Sequence, residues 1–288
     1  GIAISDGGSI HLKKGNGLVS EVFSHNPELE GIPAVSAIGH VRYSTAGGGF
    51  TENAQPLLIS YRHGQLAVAH NGNLFNADEL RGRLEKEGSI FQTTTDSELV
   101  MHLVARCGYR DLRTSLEAVL PVLRGAYSFV FLTEDSLVGV RDPFGVRPLS
   151  LGSWNGYYVL ASETCAFDTI GAEIIRDVNP GEMVVINKNG LEGKQILPSS
   201  RVALCIFEYI YFSRPDSNIQ GRNVHLVRKK LGRQLAREQP VSADIITGVP
   251  DSSLAAAAGY AEEMGLPYEM GLIKNRYIGR TFIQSGQE

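Results

Sequence analysis

Apolar residues follow two different rhythms along this chain. Over roughly the first two thirds they come in short blocks that suit strands. Residues 1–4, 9–13 and 37–43 each read as a strand, and a longer run, Leu66-Ala67-Val68-Ala69-His70, stops at Asn71-Gly72-Asn73. Asn76 followed by Asp78 and Glu79 has the form of a capping box, which predicts a helix from there to about Glu87. The β-branched run Thr93-Thr94-Thr95 ends at Asp96, and a second helix is expected from about Ser97. Between 126 and 187 the pattern becomes successive strands, at 127–132, 137–140, 148–152, 157–161 and 183–186, with turns such as Asn155-Gly156 and Asn189-Gly190. Strands and helices in blocks favour an α+β class, with large antiparallel sheets and helices packed outside, over a doubly wound parallel sheet.

The second rhythm starts after a polar stretch, 192–200, that contains Pro198 and marks the expected boundary between domains 1–198 and 199–288. Beyond it a helix is expected at 224–237, a short buried strand at 244–249, and a turn at 250–253 leading into an alanine-rich helix through Met264. That is the order of a βαβ unit.

Composition narrows the class. With 288 residues, 43% hydrophobic and 20% charged, the chain suits a folded protein of one to two domains. No apolar run has the length of a membrane span and the first residues lack a signal pattern, so a cytoplasmic protein is expected. The net charge of −4 and the lack of a basic, aromatic-interleaved stripe argue against a nucleic-acid partner. Cys107, Cys165 and Cys205 are odd in number and widely spaced, which argues against a disulfide framework.

Candidate chemistry gathers at a few places. Asn71 offers a side-chain NH2 and Gly72 an unshielded backbone N–H, the two donors of an oxyanion hole. A hairpin turn at Asn-Gly is the alternative for that stretch taken alone. Arg42 near the end of a largely apolar strand is unusual, and a structural ion pair is the ordinary explanation for it. Asp96 reads by itself as the N-cap of the helix that follows it. Ser252 and Ser253, in a turn entering a helix, could hold an anion, although many such turns bind nothing. Cys205, between Leu204 and Ile206, reads by itself as a small buried hydrophobe.

Six segments together carry a resemblance. They are 40–47 (His-Val-Arg-Tyr-Ser-Thr-Ala-Gly), 69–74 (Ala-His-Asn-Gly-Asn-Leu), 95–98 (Thr-Asp-Ser-Glu), 208–217 (Glu-Tyr-Ile-Tyr-Phe-Ser-Arg-Pro-Asp-Ser), 248–253 (Gly-Val-Pro-Asp-Ser-Ser) and 274–283, which begins Lys-Asn-Arg-Tyr-Ile-Gly-Arg. In this order they resemble the glutamine phosphoribosylpyrophosphate amidotransferase family. The first three are shared by class II glutamine amidotransferases generally, and the last three are particular to this family.

The resemblance implies an N-terminal-nucleophile hydrolase αββα sandwich, followed by the beginning of an α/β type I phosphoribosyltransferase domain. It implies that an N-terminal cysteine attacks glutamine with its own α-amino group as base. Asn71 and Gly72 would hold the oxyanion, Arg42 the α-carboxylate and Asp96 the α-ammonium. Ammonia would then displace pyrophosphate from phosphoribosylpyrophosphate with Mg2+, giving phosphoribosylamine, the first committed step of purine synthesis. Ser252 and Ser253 match the loop that cradles the pyrophosphate and, at Ser252, its metal. Lys274, Arg276, Tyr277 and Arg280 match the closing segment, and Tyr209 and Phe212 fall where aromatics line the path between sites.

One branch of the family carries a [4Fe–4S] cluster, and Cys205 occupies the position of its first ligand. Purine nucleotides as inhibitors and a homotetramer are also implied. The nucleophile and a further substrate loop are expected upstream of Gly1 and beyond Glu288, so the 288 residues are expected to be an inactive internal piece. Two other readings stand beside this one. Another class II amidotransferase, such as a glucosamine-6-phosphate synthase, would lack the 213–217 and 248–253 segments. A non-catalytic homologue would keep the pockets without the chemistry.

Overall fold

The computed structural model describes residues 1–24, 29–42 and 51–275. The chain divides into two compact units, Gly1–Ser162 with Ala166–Leu204, and Glu163–Cys165 with Cys205–Glu288. The division therefore falls a little after the boundary expected from the polar stretch.

In chain order the first unit begins with β1 (Ile2–Ser5), β2 (Ile10–Lys13), α1 (Val19–Phe23), β3 (Ser36–Gly39), β4 (Leu57–Tyr61) and β5 (Gly64–Leu74). Three helices follow, α2 (Ala77–Lys86), α3 (Ser97–Arg106) and α4 (Leu112–Val119). Then come β6 (Gly125–Leu132), β7 (Ser136–Arg141), β8 (Ser150–Trp154), β9 (Tyr157–Ala161), α5 (Cys165–Ile170), β10 (Glu173–Asp177), β11 (Glu182–Asn187) and β12 (Gly190–Gln195). A six-stranded sheet, ordered β12-β11-β7-β6-β5-β4, forms the middle layer, and every pairing in it is antiparallel. Two three-stranded sheets, β2-β1-β3 and β10-β8-β9, form a second β layer.

Side-chain alternation explains why the central strands are apolar on both faces. Leu66 and Val68 of β5, Tyr127, Phe129 and Phe131 of β6 and Val138 and Val140 of β7 point to one face, where they pack with Leu80 and Leu84 of α2, Leu99 and Val104 of α3 and Leu116 of α4. The intervening residues point the other way. Ala67 and Ala69 of β5 join Ala3, Ile10 and Ile38 of the small sheet, and Val184 of β11 joins Leu149 and Leu151. Helices over a sheet over a second β layer is the layering expected from the sequence.

Three local expectations change. The Asn71-Gly72 pair is not a turn, because β5 runs on to Leu74 and pairs with β6 along its length, Asn71 opposite Ser128 and Gly72 opposite Tyr127. The capping box at α2 does not form: Asn76 receives the Arg124 N–H on its oxygen and donates to Val122 O, both at 3.0 Å, and so ties the helix start to the 122–124 segment. Part of the polar stretch at 192–200 belongs to β12, whose exposed edge position accounts for its polar composition.

The second unit contains a π-helical turn at Glu208–Phe212, a small hairpin of β13 (Asn218–Ile219) and β14 (Arg222–Asn223), and two helices, α6 (Val224–Glu238) and α7 (Leu254–Met264). Arg228 of α6, 3% exposed, reaches back to the carbonyls of Tyr209 and Ser213. The two helices cross so closely that a Cβ at Gly259 would lie 2.0 Å from Lys229 O, and one at Gly232 would lie 1.8 Å from Ala256 O. The strand expected at 244–249 is reduced to one parallel bridge, Ile246 to Tyr268, with Ile245 and Val249 exposed. One parallel neighbour supplies too few ladder bonds and too little cover to hold a strand. No helix among the described residues is long and apolar enough to cross a membrane.

Candidate active site

The edge of β5 carries the first set of candidates. Asn71 follows Ala67 and Ala69 onto the face of the second β layer, where its Oδ1 accepts from Arg147 Nε at 3.1 Å and Nη2 at 2.7 Å and its Nδ2 donates to Ser162 Oγ at 3.2 Å. Gly72 is exposed. β4 pairs with β5 only as far as Leu57 opposite Val68, so beyond Val68 that side of β5 has no strand beside it. N–H groups alternate sides along a strand. Those of His70 and Leu74 turn to the uncovered side and meet Gln55 Oε1 at 2.7 Å and Asp96 Oδ2 at 2.8 Å. The N–H of Gly72 lies between them on the same side. Tyr127, opposite Gly72, spends its own N–H and C=O on Asp142.

Asp96 precedes α3 but its side chain does not cap the helix. It leans instead onto β5, receiving the Leu74 N–H, with His70 Nδ1 3.3 Å and Ser97 Oγ 3.4 Å from Oδ1. Burial by itself would raise the Asp96 carboxyl, but the hydrogen bonds and charge from His70, together with the Leu74 N–H and Ser97 hydroxyl, outweigh it and hold the group below its ordinary value. A carboxylate kept ionised beside a strand edge is suited to binding an ammonium group. Sequence reading missed the supports of this cluster. His70 stacks on Phe129 with ring centres 4.2 Å apart, and Gln55 bridges His70 N–H to Ser97 Oγ. An imidazole following an apolar strand is a weak signal, and Gln55 has none.

Arg42 is half-buried and lies just past β3, which ends at Gly39, short of the strand expected to 43. Its segment is held against β5 through His40, whose Nε2 meets His70 O at 3.1 Å. Burial lowers the His40 imidazole to about 4. Since an unfolded histidine titrates near 6.5, the unfolded chain takes up the proton first, and the stability present above about pH 6.5 is lost as the pH falls toward 4. Lowering the pH from 7 to 4.5 is expected to cost about 2 kcal/mol through this residue, a value discounted for partial solvent screening. Urea unfolding of the wild type and His40→Gln across that range checks it, and the variant should lack this part of the slope.

The second set lies in the other unit. The turn Pro250–Ser253 enters α7, and Ser253 Oγ donates to Val249 O without capping the helix. Lys274 Nζ lies 3.1 Å from Asp251 Oδ2, which places the lysine beside the serine turn. Arg276, Tyr277 and Arg280 lie outside the described residues. Tyr209 is a buried residue whose hydroxyl donates to Ile219 O at 2.8 Å, whereas Phe212 is half exposed.

Cys205 is a free thiol, as are Cys107 and Cys165. Among the described residues no three His, Cys, Asp or Glu side chains gather as a metal site. A [4Fe–4S] cluster needs four thiolates and these residues do not supply them. Mg2+ is less demanding, because it takes one or two protein oxygens and completes its shell with water and substrate phosphates. The Asp251 carboxylate and Ser252 hydroxyl fit that role.

A two-layered β core under helices, with Asn, Gly and a half-buried Asp along one open strand edge, is the architecture of a glutamine amidotransferase domain of the N-terminal-nucleophile hydrolase type. A family model described as a glutamine amidotransferase domain matches residues 40–169. Along its whole length the chain is 54% identical to the amidophosphoribosyltransferase of Bacillus subtilis and 48% identical to that of Staphylococcus epidermidis, covering 60% and 58% of those proteins. Two solved structures superpose on 99% of it. One is described as the allosteric regulatory enzyme of purine biosynthesis (TM-score 0.92, 53% identity), and the other as the B. subtilis glutamine phosphoribosylpyrophosphate amidotransferase complexed with ADP and GMP (TM-score 0.90, 52% identity). The chain covers 62% of each. In sequence and fold the chain is similar to these amidophosphoribosyltransferases along its whole length, and it spans about three fifths of theirs.

Proposed function

We propose that this chain works within a protein that transfers the amide nitrogen of glutamine to phosphoribosylpyrophosphate, releasing glutamate and pyrophosphate and forming 5-phosphoribosylamine. The observation that carries the reading is the strand edge at Asn71 and Gly72, where a fixed side-chain NH2 and a backbone N–H stand on adjacent residues. When a cysteine thiolate adds to the glutamine carboxamide, the carbonyl oxygen takes the charge, and these two donors stabilise it. Asp96 holds the α-ammonium. Arg42, with its planar fork, holds the α-carboxylate. The nucleophile is none of Cys107, Cys165 or Cys205, since the role needs a cysteine with a free α-amino group.

In the second unit, Ser252 and Ser253 bind the pyrophosphate, and Lys274 releases Asp251 to meet it, with Arg276, Tyr277 and Arg280 in the same segment. Ser252 and Asp251 would hold Mg2+, which would supply positive charge to the pyrophosphate. Purine nucleotides are proposed as regulators, supported by the ADP and GMP complex of the B. subtilis relative. A homotetramer in the cytoplasm fits the reading. A [4Fe–4S] cluster on Cys205 would need three further thiolates from outside these residues, and iron analysis of the complete gene product tests that point.

The test of the function is product formation by the complete gene product supplied with glutamine, phosphoribosylpyrophosphate and Mg2+. Glutamate, pyrophosphate and phosphoribosylamine should appear in equal amounts. Ser252→Ala removes a hydrogen bond to a charged group, a loss of about 1.5–3 kcal/mol. It should raise the phosphoribosylpyrophosphate requirement about tenfold or more while leaving glutamine binding unchanged in the enzyme without the second substrate. An unchanged requirement for both phosphoribosylpyrophosphate and Mg2+ would remove the 250–253 turn from the site.

A further inference from the structure

The Asn71 side-chain amide has two nearly isosteric ends, an oxygen and an NH2, and shape alone does not choose between them. One orientation presents a donor to a developing oxyanion. The other presents a second oxygen and repels it. Ser162 Oγ, 3.2 Å from Nδ2, cannot decide the matter, because a hydroxyl donates or accepts as its partner requires. Arg147 can. Its Nε and Nη2 converge on the Asn71 oxygen at 3.1 and 2.7 Å, and a guanidinium has donors only.

The arginine is itself firmly placed. Its N–H donates to Asp142 Oδ2 at 3.3 Å, and its carbonyl accepts from Arg141 Nε at 2.8 Å and Ser128 Oγ at 3.3 Å. Arg141 and Asp142 are 2% and 0% exposed, and Arg141 also ties down the carbonyls of Gly145 and Val178. The segment 141–147 is therefore a rigid bracket built from buried charges, with one guanidinium aimed at one amide oxygen. A cation bonded to that oxygen also draws electron density from the amide and makes its NH2 a stronger donor.

The geometry points to Arg147 as a positioning residue for glutamine hydrolysis, one that sets the Asn71 amide with its NH2 toward the oxyanion. This inference rests on the assignment of Asn71 to the oxyanion made above.

The test is a double-variant cycle on the complete gene product, measuring glutamate release and, as a check on folding, product formation driven by added ammonia. Arg147→Ala should lower kcat for glutamate release about a hundredfold, with the KM for glutamine within about a factor of two and ammonia-driven synthesis retained. Arg147→Lys, which keeps the charge but offers a single point donor, should recover part of that loss. In an Asn71→Ala background, Arg147→Ala should change kcat less than about threefold, because its target is already gone. Losses that multiply in full, or an unchanged kcat in Arg147→Ala, would overturn the inference. So would parallel loss of the ammonia-driven activity in both Arg147 variants. Should Arg147→Ala fail to fold, Arg147→Lys carries the same cycle. Failure of the underlying assignment reads differently, since Asn71→Ala by itself would then leave glutamate release intact.

Discussion

Replacing Gly72 by alanine is expected to destabilise the first unit by about 3–4 kcal/mol and to abolish glutamine hydrolysis. A Cβ at this position would lie 2.0 Å from Ala126 O, 2.8 Å from Tyr127 Cα and 2.9 Å from Ala126 C, all of them backbone atoms of the neighbouring strand. No rotamer change relieves such a contact, so β5 and β6 must part. The φ of +150° at Gly72 adds strain for any side chain. Gly88→Ala makes the comparison, because Gly88 also has a positive φ, +90°, but has nothing within 4 Å of its missing Cβ. Strain alone should cost it about 1 kcal/mol. Urea midpoints of the two variants measure the difference, and equal losses would mean that the strands at Gly72 yield without penalty.

Asn71→Ala is expected to act on the barrier and not on the fold. It removes one of two oxyanion donors, a change that typically costs about 10²- to 10³-fold in kcat. Because the donor acts on charge that appears only as the thiolate adds, the KM for glutamine should stay within about a factor of two. Steady-state glutamate release checks both numbers. A rise in KM with kcat unchanged would make Asn71 a ground-state binding residue instead.

Much of this was open to reading from sequence, and the reasons differ from element to element. The strands of the central sheet are covered on both faces, so β6, β7 and β11 appear as dense apolar runs that stand out from their surroundings. β12 was hidden because an exposed edge strand is polar and resembles a linker. Asn76 was misread because the same two amide atoms that could cap α2 find partners in the 122–124 segment, and only the tertiary fold decides. At the site, Asn71 and Gly72 stand out at the end of an apolar run, but a turn for that pair and a helix cap for Asp96 are excluded only by the strand pairing and the tertiary contacts. Arg147, Ser162 and Gln55 were not legible, since they reach the site from 76, 91 and 15–16 residues away through side chains that follow no periodicity. The strand at 244–249 was overstated because an apolar run says nothing about how many neighbours it will have.

The measurement that bears most directly on the central claim is the ratio of glutamine-driven to ammonia-driven phosphoribosylamine formation by the complete gene product, before and after Asn71→Ala. If the β5 edge is where glutamine is opened and the second unit is where its nitrogen is used, the ratio should fall at least about a hundredfold while the ammonia-driven rate holds. A ratio that does not change, whether because both rates survive or because both collapse together, would contradict it.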